Sequence, residues 1–230
     1  LAKATGTGTA SATVVESAVD VYGGTLAGVI GGSLSETYSG GTSNSEVGEG
    51  SAVVINGGII NNIEYGAVEG NAGILDASVV GGSVANGTNT TATVASTDVR
   101  ILAGIISDKV VAGSAAGHNG SVTVKGDTNL VMTAGTAGDL VGGNLVDGGT
   151  SRESNVEGST FVTFSGGTVK GDIMGGSYVR NADATSTVEG DTHVTVSGTV
   201  AQSDTQKWVE NVFGGGKAMT NASGQTATAN

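Results

Sequence analysis

Two aspartates, Asp127 and Asp191, are the first candidates for acid–base chemistry. They occupy the same position in two copies of a repeated pattern, and Ser159 occupies that position in the copy between them. Enzymes that cleave polysaccharides use clustered carboxylates. Stacked repeats would instead place these two aspartates two steps apart, on the order of 10 Å. Each follows a glycine, and aspartate is a favoured turn residue. We therefore favour a turn role over catalysis or metal binding.

Glu157 and Glu189 form a second pair in register, with Lys125 beside Glu157. Like charges stacked on neighbouring strands repel each other. A bound cation would relieve the repulsion, and so would exposed side chains that splay apart. We favour the splayed pair, because the chain has neither a calcium-binding GGxGxD repeat nor an EF-hand loop.

The two histidines, His118 and His193, lie far apart in the sequence, with His118 in a predicted loop and His193 facing outward on a predicted strand. With no cysteine and no HxxxH spacing, the sequence does not predict a zinc site. No GxSxG motif is present to support a serine nucleophile. We therefore assign no catalytic, cofactor-binding or metal-binding residue and expect no cofactor and no enzymatic activity.

Two insertions interrupt the repeats. The first spans Asn61–Ser78, and the second spans Ala201–Asn211 and holds the only tryptophan, Trp208. Loops that leave a rigid scaffold often carry recognition. The alternative is that Trp208 covers the end or the side of the core, and the sequence leaves both interpretations open.

The elements that must position these residues are short repeats. Segments such as VKGDTNLVMTAG, VEGSTFVTFSGG and VEGDTHVTVSG begin at Val124, Val156 and Val188, each 32 residues apart (156 − 124 and 188 − 156). A second motif follows each copy, as in VVGGS, LVGGN and IMGGS. A constant period of this length is typical of solenoid proteins.

Alternation within the first strand of each repeat predicts which side chains point inward. One predicted inward column contains Val19, Val53, Val99, Leu130, Val162 and Val194, and the next contains Val21, Ile55, Ile101, Met132, Phe164 and Val196. The second strand supplies a further apolar column of Ile30, Val80, Val111, Val141, Met174 and Phe213. The outward neighbours are mostly polar: Asp20, Arg100, Thr163 and Thr195.

These patterns predict an all-β, right-handed parallel β-solenoid of about six degenerate coils of ~31 residues. A β-sandwich would also use short strands but does not predict identical columns at a constant step. We assign the repeats to residues 1–216, with insertions near 61–78 and 201–211, and a polar C-terminal tail to residues 217–230.

Composition supports this class of fold and excludes several partners. The chain of 230 residues has 42 glycines, no proline, no cysteine and a net charge of −12. The acidic balance argues against nucleic acid and anionic membranes. No stretch approaches the roughly 18 apolar residues of a spanning helix, so we expect no membrane insertion of this segment. Because the chain begins at Leu1 and shows no signal peptide, we expect it to be a processed piece of a longer precursor.

The strings TVEGDTHVTVSG and SGGTVKGDIMGGS resemble the repeats in passenger regions of Gram-negative autotransporters and related adhesin-like surface proteins. The resemblance covers nearly the whole chain. It implies a bacterial protein that is secreted and then displayed at the cell surface or released.

We therefore predict a non-enzymatic extracellular module, structural or adhesive, that presents loops on a rigid solenoid to a host surface, a neighbouring cell or the matrix. The alternative is a self-assembling filament subunit, joined through solenoid ends or by strand donation. A secreted carbohydrate-active enzyme and a phage or virus fibre segment are the other hypotheses.

Overall fold

The computed structural model describes residues 1–37, 40–64, 75–180, 183–197, 209–220 and 226–229. Within these ranges every regular element is a β-strand, as the alternating apolar pattern predicts. No helix among the described residues has the length and apolar character needed to cross a membrane.

The strands are short, except where one strand continues around a corner. In chain order they are β1 (Ala2–Ala4), β2 (Thr9–Val21), β3 (Thr25–Leu26), β4 (Val29–Ile30), β5 (Leu34–Thr37), β6 (Thr42–Ile60), β7 (Val79–Val80), β8 (Val84–Asn86), β9 (Thr90–Val94), β10 (Thr97–Ile106), β11 (Val110–Val111), β12 (Ala115–Gly117), β13 (Ser121–Val124), β14 (Thr128–Met132), β15 (Thr136–Ala137), β16 (Leu140–Val141), β17 (Leu145–Asp147), β18 (Thr150–Val156), β19 (Thr160–Phe164), β20 (Thr168–Val169), β21 (Ile173–Met174), β22 (Tyr178–Arg180), β23 (Asp183–Val188), β24 (Thr192–Val196), β25 (Val212–Phe213), β26 (Lys217–Met219) and β27 (Ala227–Ala229).

These strands form three parallel sheets. Sheet A has seven strands in the order β1-β5-β8-β12-β17-β22-β26, and sheet C has six in the order β25-β21-β16-β11-β7-β4. Sheet B has fourteen, with a main path β24-β19-β14-β10-β6-β9-β13-β18-β23-β27. The chain visits sheet B, sheet C, sheet A and sheet B again in the same order, as in a parallel β-solenoid. We call each such passage a unit and name it by its residues: units 51–94, 97–124, 128–156 and 160–188.

The register of the first strand agrees with the sequence prediction. Val53 pairs with Val99, Leu130 pairs with Val162, and the other members of both predicted inward columns are also direct partners. In the four units from 51 to 188 these side chains are at most 3% exposed. One member of the prediction is wrong, because Val196 is 45% exposed. It lies on β24, at the end of the strand order of sheet B, and among the described residues only β19 pairs with this strand.

The second strand also stacks in register, but its two residues face different clusters. Val110 packs in the main core with Val99 and Leu130, whereas Val111 packs in a second cluster with Val80 and Val141. Successive side chains of a strand point to opposite sides. The column predicted as inward, which contains Val111, is therefore in register but faces away from the main core.

Glycine–glycine corners join sheet C to sheet A, and a polar ladder holds them together. The main-chain N–H of Ser83 donates to Oγ of Ser114 at 3.0 Å, and that of Ser114 donates to Oδ1 of Asn144 at 2.8 Å. The N–H of Asn144 donates to Oγ of Ser177 at 3.1 Å. Each small polar side chain thus satisfies a buried donor in the neighbouring unit, which would otherwise be costly.

Candidate functional site

Asp127 and Ser159 lie at equivalent corners within sheet B, Asp127 between β13 and β14 and Ser159 between β18 and β19. Oδ1 of Asp127 accepts a hydrogen bond from the N–H of Ser159 at 2.8 Å, and Oγ of Ser159 accepts one from the N–H of Asp191 at 3.1 Å. Each oxygen bonds the next unit along the stack, so Asp127 and Asp191 are separated by Ser159. This geometry supports the turn role that we favoured for Asp127.

Glu157 and Glu189 stack on successive units and both are exposed. The side chain of Lys125, which is beside Glu157 in the repeat alignment, pairs with Glu46 instead, and its Nζ lies 3.2 Å from Oε1 of Glu46. Among the described residues no group of three or more histidine, cysteine, aspartate or glutamate side chains is placed to hold a metal ion.

The two histidines lie at separate places. His193 faces outward on β24, where its ring stacks on that of Phe161, with centroids 4.9 Å apart and an interplanar angle of 4°. His118 lies in the corner between β12 and β13 with a positive φ of 34°. The structure does not bring them together.

Most of the second insertion, including Trp208, lies outside the described residues. Its last residues are described, and Val209 packs against the main core. Within the segment predicted as a polar tail, Lys217–Met219 and Ala227–Ala229 form β26 and β27.

The most elaborate polar arrangement lies at the angle between sheets C and A, on the side opposite the main core. We call this surface the elbow groove. One wall carries Ile30, Val80, Val111, Val141, Met174 and Phe213, and the other carries Leu34, Val84, Ala115, Leu145 and Tyr178. Both walls are apolar ladders that run along the stack.

The described ends of the first insertion lie in the elbow groove. Ile63, Leu75 and Ala77 pack with its walls and are at most 3% exposed. The N–H of Ile63 donates to the carbonyl oxygen of Ala77 at 2.8 Å, and the N–H of Leu75 donates to that of Ile63 at 2.9 Å. The two described ends of the insertion are therefore hydrogen-bonded to each other.

Lys109 is the centre of a network of charges at this groove. Its Nζ lies 2.8 Å from Asp76, 3.0 Å from Asp108 and 3.6 Å from Asp139, and its side chain is 8% exposed. Burial opposes the charge of Lys109, but hydrogen bonds and charge from Asp76 and Asp108 outweigh it and raise the pKa of the ammonium above its ordinary value.

The pKa values of two carboxyl groups beside Lys109 are shifted in opposite directions. Burial raises the pKa of Asp76, and the nearby ammonium offsets only part of this effect. Burial also acts on Asp108, but the charge of Lys109 and the hydrogen bonds of Lys109 and Asn62 outweigh it and lower the pKa of that carboxyl group.

Further along the groove, Arg180 lies 2.8 Å from Asp76 and 3.2 Å from Asp147. Lys217 lies 2.7 Å from Asp172. Burial raises the pKa of Asp172, but the hydrogen bonds from Lys217 and Asn211 and the charge of Lys217 outweigh this and lower it overall. Each of these cations is therefore neutralised by an acidic side chain of the chain itself.

Tyr178 lies between two of the cations. The Nζ atoms of Lys109 and Lys217 are each 5.6 Å from the centroid of its ring, within the range of a cation–π contact. The apolar walls and the charges thus form one continuous arrangement rather than separate patches.

Sequence reasoning missed this groove, although one signal was present. Lys109, Asp139 and Asp172 each precede the first residue of a sheet C strand, so they fall in one column of the stack. Opposite charges at matched repeat positions indicate a ladder of ion pairs.

No family model, no curated protein and no solved structure matches the chain. The resemblance to autotransporter passengers rests on the sequence strings alone and stays a prediction.

Proposed function

We propose that the chain is a non-enzymatic extracellular surface module, built as a right-handed β-solenoid of six coils, that presents outward faces and loops to a cell surface or matrix. The observation that carries this proposal is the continuity of the columns. The same position of the first strand is occupied by Val53, Val99, Leu130 and Val162 in direct register. Each coil adds about 4.8 Å of length, and adjacent coils share hydrogen bonds and apolar contacts, so a stack of this kind suits a spacer.

The outward faces offer mostly uncharged polar groups. On the arm of sheet B that contains β9 and β13, one outward column consists of Thr13, Glu46, Thr93, Thr123, Asn155 and Thr187. Each of these side chains is at least partly exposed. Repeated hydroxyl and amide groups on a rigid face can hydrogen-bond to a partner surface at many points at once.

The acidic side chains support a structural role. Asp76, Asp139, Asp147 and Asp172 all pair with lysine or arginine in the elbow groove. These ion pairs occupy the carboxylates with cations of the chain itself, which is consistent with a structural role.

A second candidate function is a filament subunit joined end to end. Val196 and Val212 lie on β24 and β25, the edge strands of sheets B and C, and are 45% and 50% exposed. Within the described part of the chain these strands have no partner on their outer side, and exposed apolar side chains beside such an edge favour association with another copy.

Beads coated with the purified protein test the first function. We expect them to adhere to cells or matrix components and to be displaced by soluble protein. Hydrolysis of a polysaccharide, abolished by changing one aspartate or glutamate, would contradict the proposal.

Electron microscopy of the same sample at several concentrations tests the second function, since filaments that lengthen with concentration would favour the role of a filament subunit.

A further inference from the structure

The first insertion has a length that the fold does not require. In unit 51–94 the segment Asn61–Ser78 joins β6 to β7, whereas in unit 97–124 the three residues Ser107, Asp108 and Lys109 join β10 to β11. The register pairs Ile60 with Ile106 and Val79 with Val110, so both connections start and end at equivalent positions. A three-residue connection is therefore sufficient to close a unit.

The groove that receives this segment is shaped by residues outside it. Val111, Val141 and Met174 are fully buried although they face away from the main core. Their column continues over several units, and Leu75 packs into the same cluster with no exposure. A stripe of this kind on an outer surface needs a cover, because large exposed apolar patches are rare in monomeric proteins.

Charge adds specificity to the apolar contact. Asp76 stands between Leu75 and Ala77, and its carboxylate meets Lys109 of one unit and Arg180 of another, each at 2.8 Å. Its main-chain N–H donates to Oδ2 of Asp147 at 3.2 Å. A single aspartate thus meets two cations and one acceptor that the groove supplies.

We propose that the elbow groove is a peptide-docking site, specific for an extended segment in which an aspartate lies between two apolar residues. Its occupant is this chain's own first insertion, of which residues 61–64 and 75–78 are described, with Ile63, Leu75 and Ala77 packed against the walls. The walls supply the apolar contact, Lys109 and Arg180 supply the charge, and Asp147 fixes the main chain of the occupant. This inference is independent of the proposed surface function.

The direct test supplies the segment as a separate molecule. Replacing residues 61–78 by the three-residue connection Ser-Asp-Lys of unit 97–124 empties the groove and leaves its walls unchanged. A fluorescent peptide with the sequence of residues 61–78 is then titrated against this variant. We expect saturable binding, and binding at least about tenfold weaker for the same peptide with Asp76→Asn, because the change removes the carboxylate that Lys109 and Arg180 share. A folded variant that binds neither peptide, or binds both equally, would overturn the proposal.

The full-length chain provides a second test that does not depend on the deletion. In the variant Asp76→Asn the internal segment should dock more weakly, so the free wild-type peptide should bind to it at concentrations at which the unchanged chain binds none. Asp20→Asn, on the outward face of β2, is the matched control and should behave as the unchanged chain. Failure of Asp76→Asn to bind the peptide, or equal binding by all three proteins, would count against the groove as a docking site.

Discussion

The carboxylate of Asp76 lies 2.8 Å from the guanidinium group of Arg180, although units 97–124 and 128–156 lie between them along the stack. The strand ladders join each unit to its immediate neighbours. This ion pair is directed along the stack. Together with the pair between Asp76 and Lys109, it connects units 51–94, 97–124 and 160–188. Asp76 therefore links distant units through its ion pairs, while its neighbours Leu75 and Ala77 pack in the groove.

The first prediction concerns the network of ion pairs around Lys109. Lys109→Met should destabilise the protein by about 3–5 kcal/mol, because it removes the buried ammonium group that Asp76, Asp108 and Asp139 share. Lys125→Met is the matched control, since Lys125 pairs with Glu46 at the surface, and should change stability by less than about 1 kcal/mol. Urea unfolding followed by circular dichroism measures both. Equal midpoints for the two variants would show that the network contributes no more than a surface pair.

The second prediction tests the inward and outward assignment of β19. Val162 is 1% exposed and its neighbour Thr163 faces outward. Val162→Asp buries a carboxylate with no partner and should cost several kcal/mol, on the order of 3 or more, whereas Thr163→Asp should be tolerated. Similar melting temperatures for the two variants would refute the assignment.

Much of this architecture could be predicted from the sequence because it depends on local alternation. The column through Leu130 follows from the period of two and from a constant repeat length, and both are visible in the letters. The elbow groove depends on the angle at which sheet C meets sheet A, so the different surroundings of Val110 and Val111 could not be predicted. Asp76 lies in an insertion with no periodicity, and its partners Lys109 and Arg180 lie in other repeats.

The third prediction concerns pH. Lys217 and Asn211 lower the pKa of Asp172 in the folded protein, although burial opposes them. A lowered folded-state pKa means that the stabilisation is present above the unfolded value, about 3.9, and is lost as the pH falls through the folded value. Stability should therefore decrease in acid below about pH 4, and Asp172→Asn should show a smaller decrease. Thermal melts between pH 2 and pH 7, in the range where carboxyl groups titrate, provide the measurement. Parallel curves for the two proteins would contradict this role of Asp172.

The fourth prediction concerns the corners. A Cβ atom on Gly143 would lie 2.5 Å from Oγ of Ser177 and 2.9 Å from its main-chain nitrogen in the neighbouring unit, whereas one on Gly23 would meet nothing within 4 Å. Gly143→Ala should therefore destabilise the protein by about 1–3 kcal/mol, and Gly23→Ala should be close to neutral. If chemical denaturation shows the two substitutions to be equivalent, the units cannot be packed as closely as described.

The measurement that most directly tests the central claim compares adhesion by the folded stack and by a disrupted one. Beads coated with the unchanged protein and beads coated with Val162→Asp are applied to the same cell and matrix surfaces, and retention is counted under flow. We expect retention that soluble protein competes away and that Val162→Asp abolishes, because the outward faces exist only when the columns are stacked. Retention no greater than that of uncoated beads would contradict a surface module, and so would equal retention by the disrupted variant.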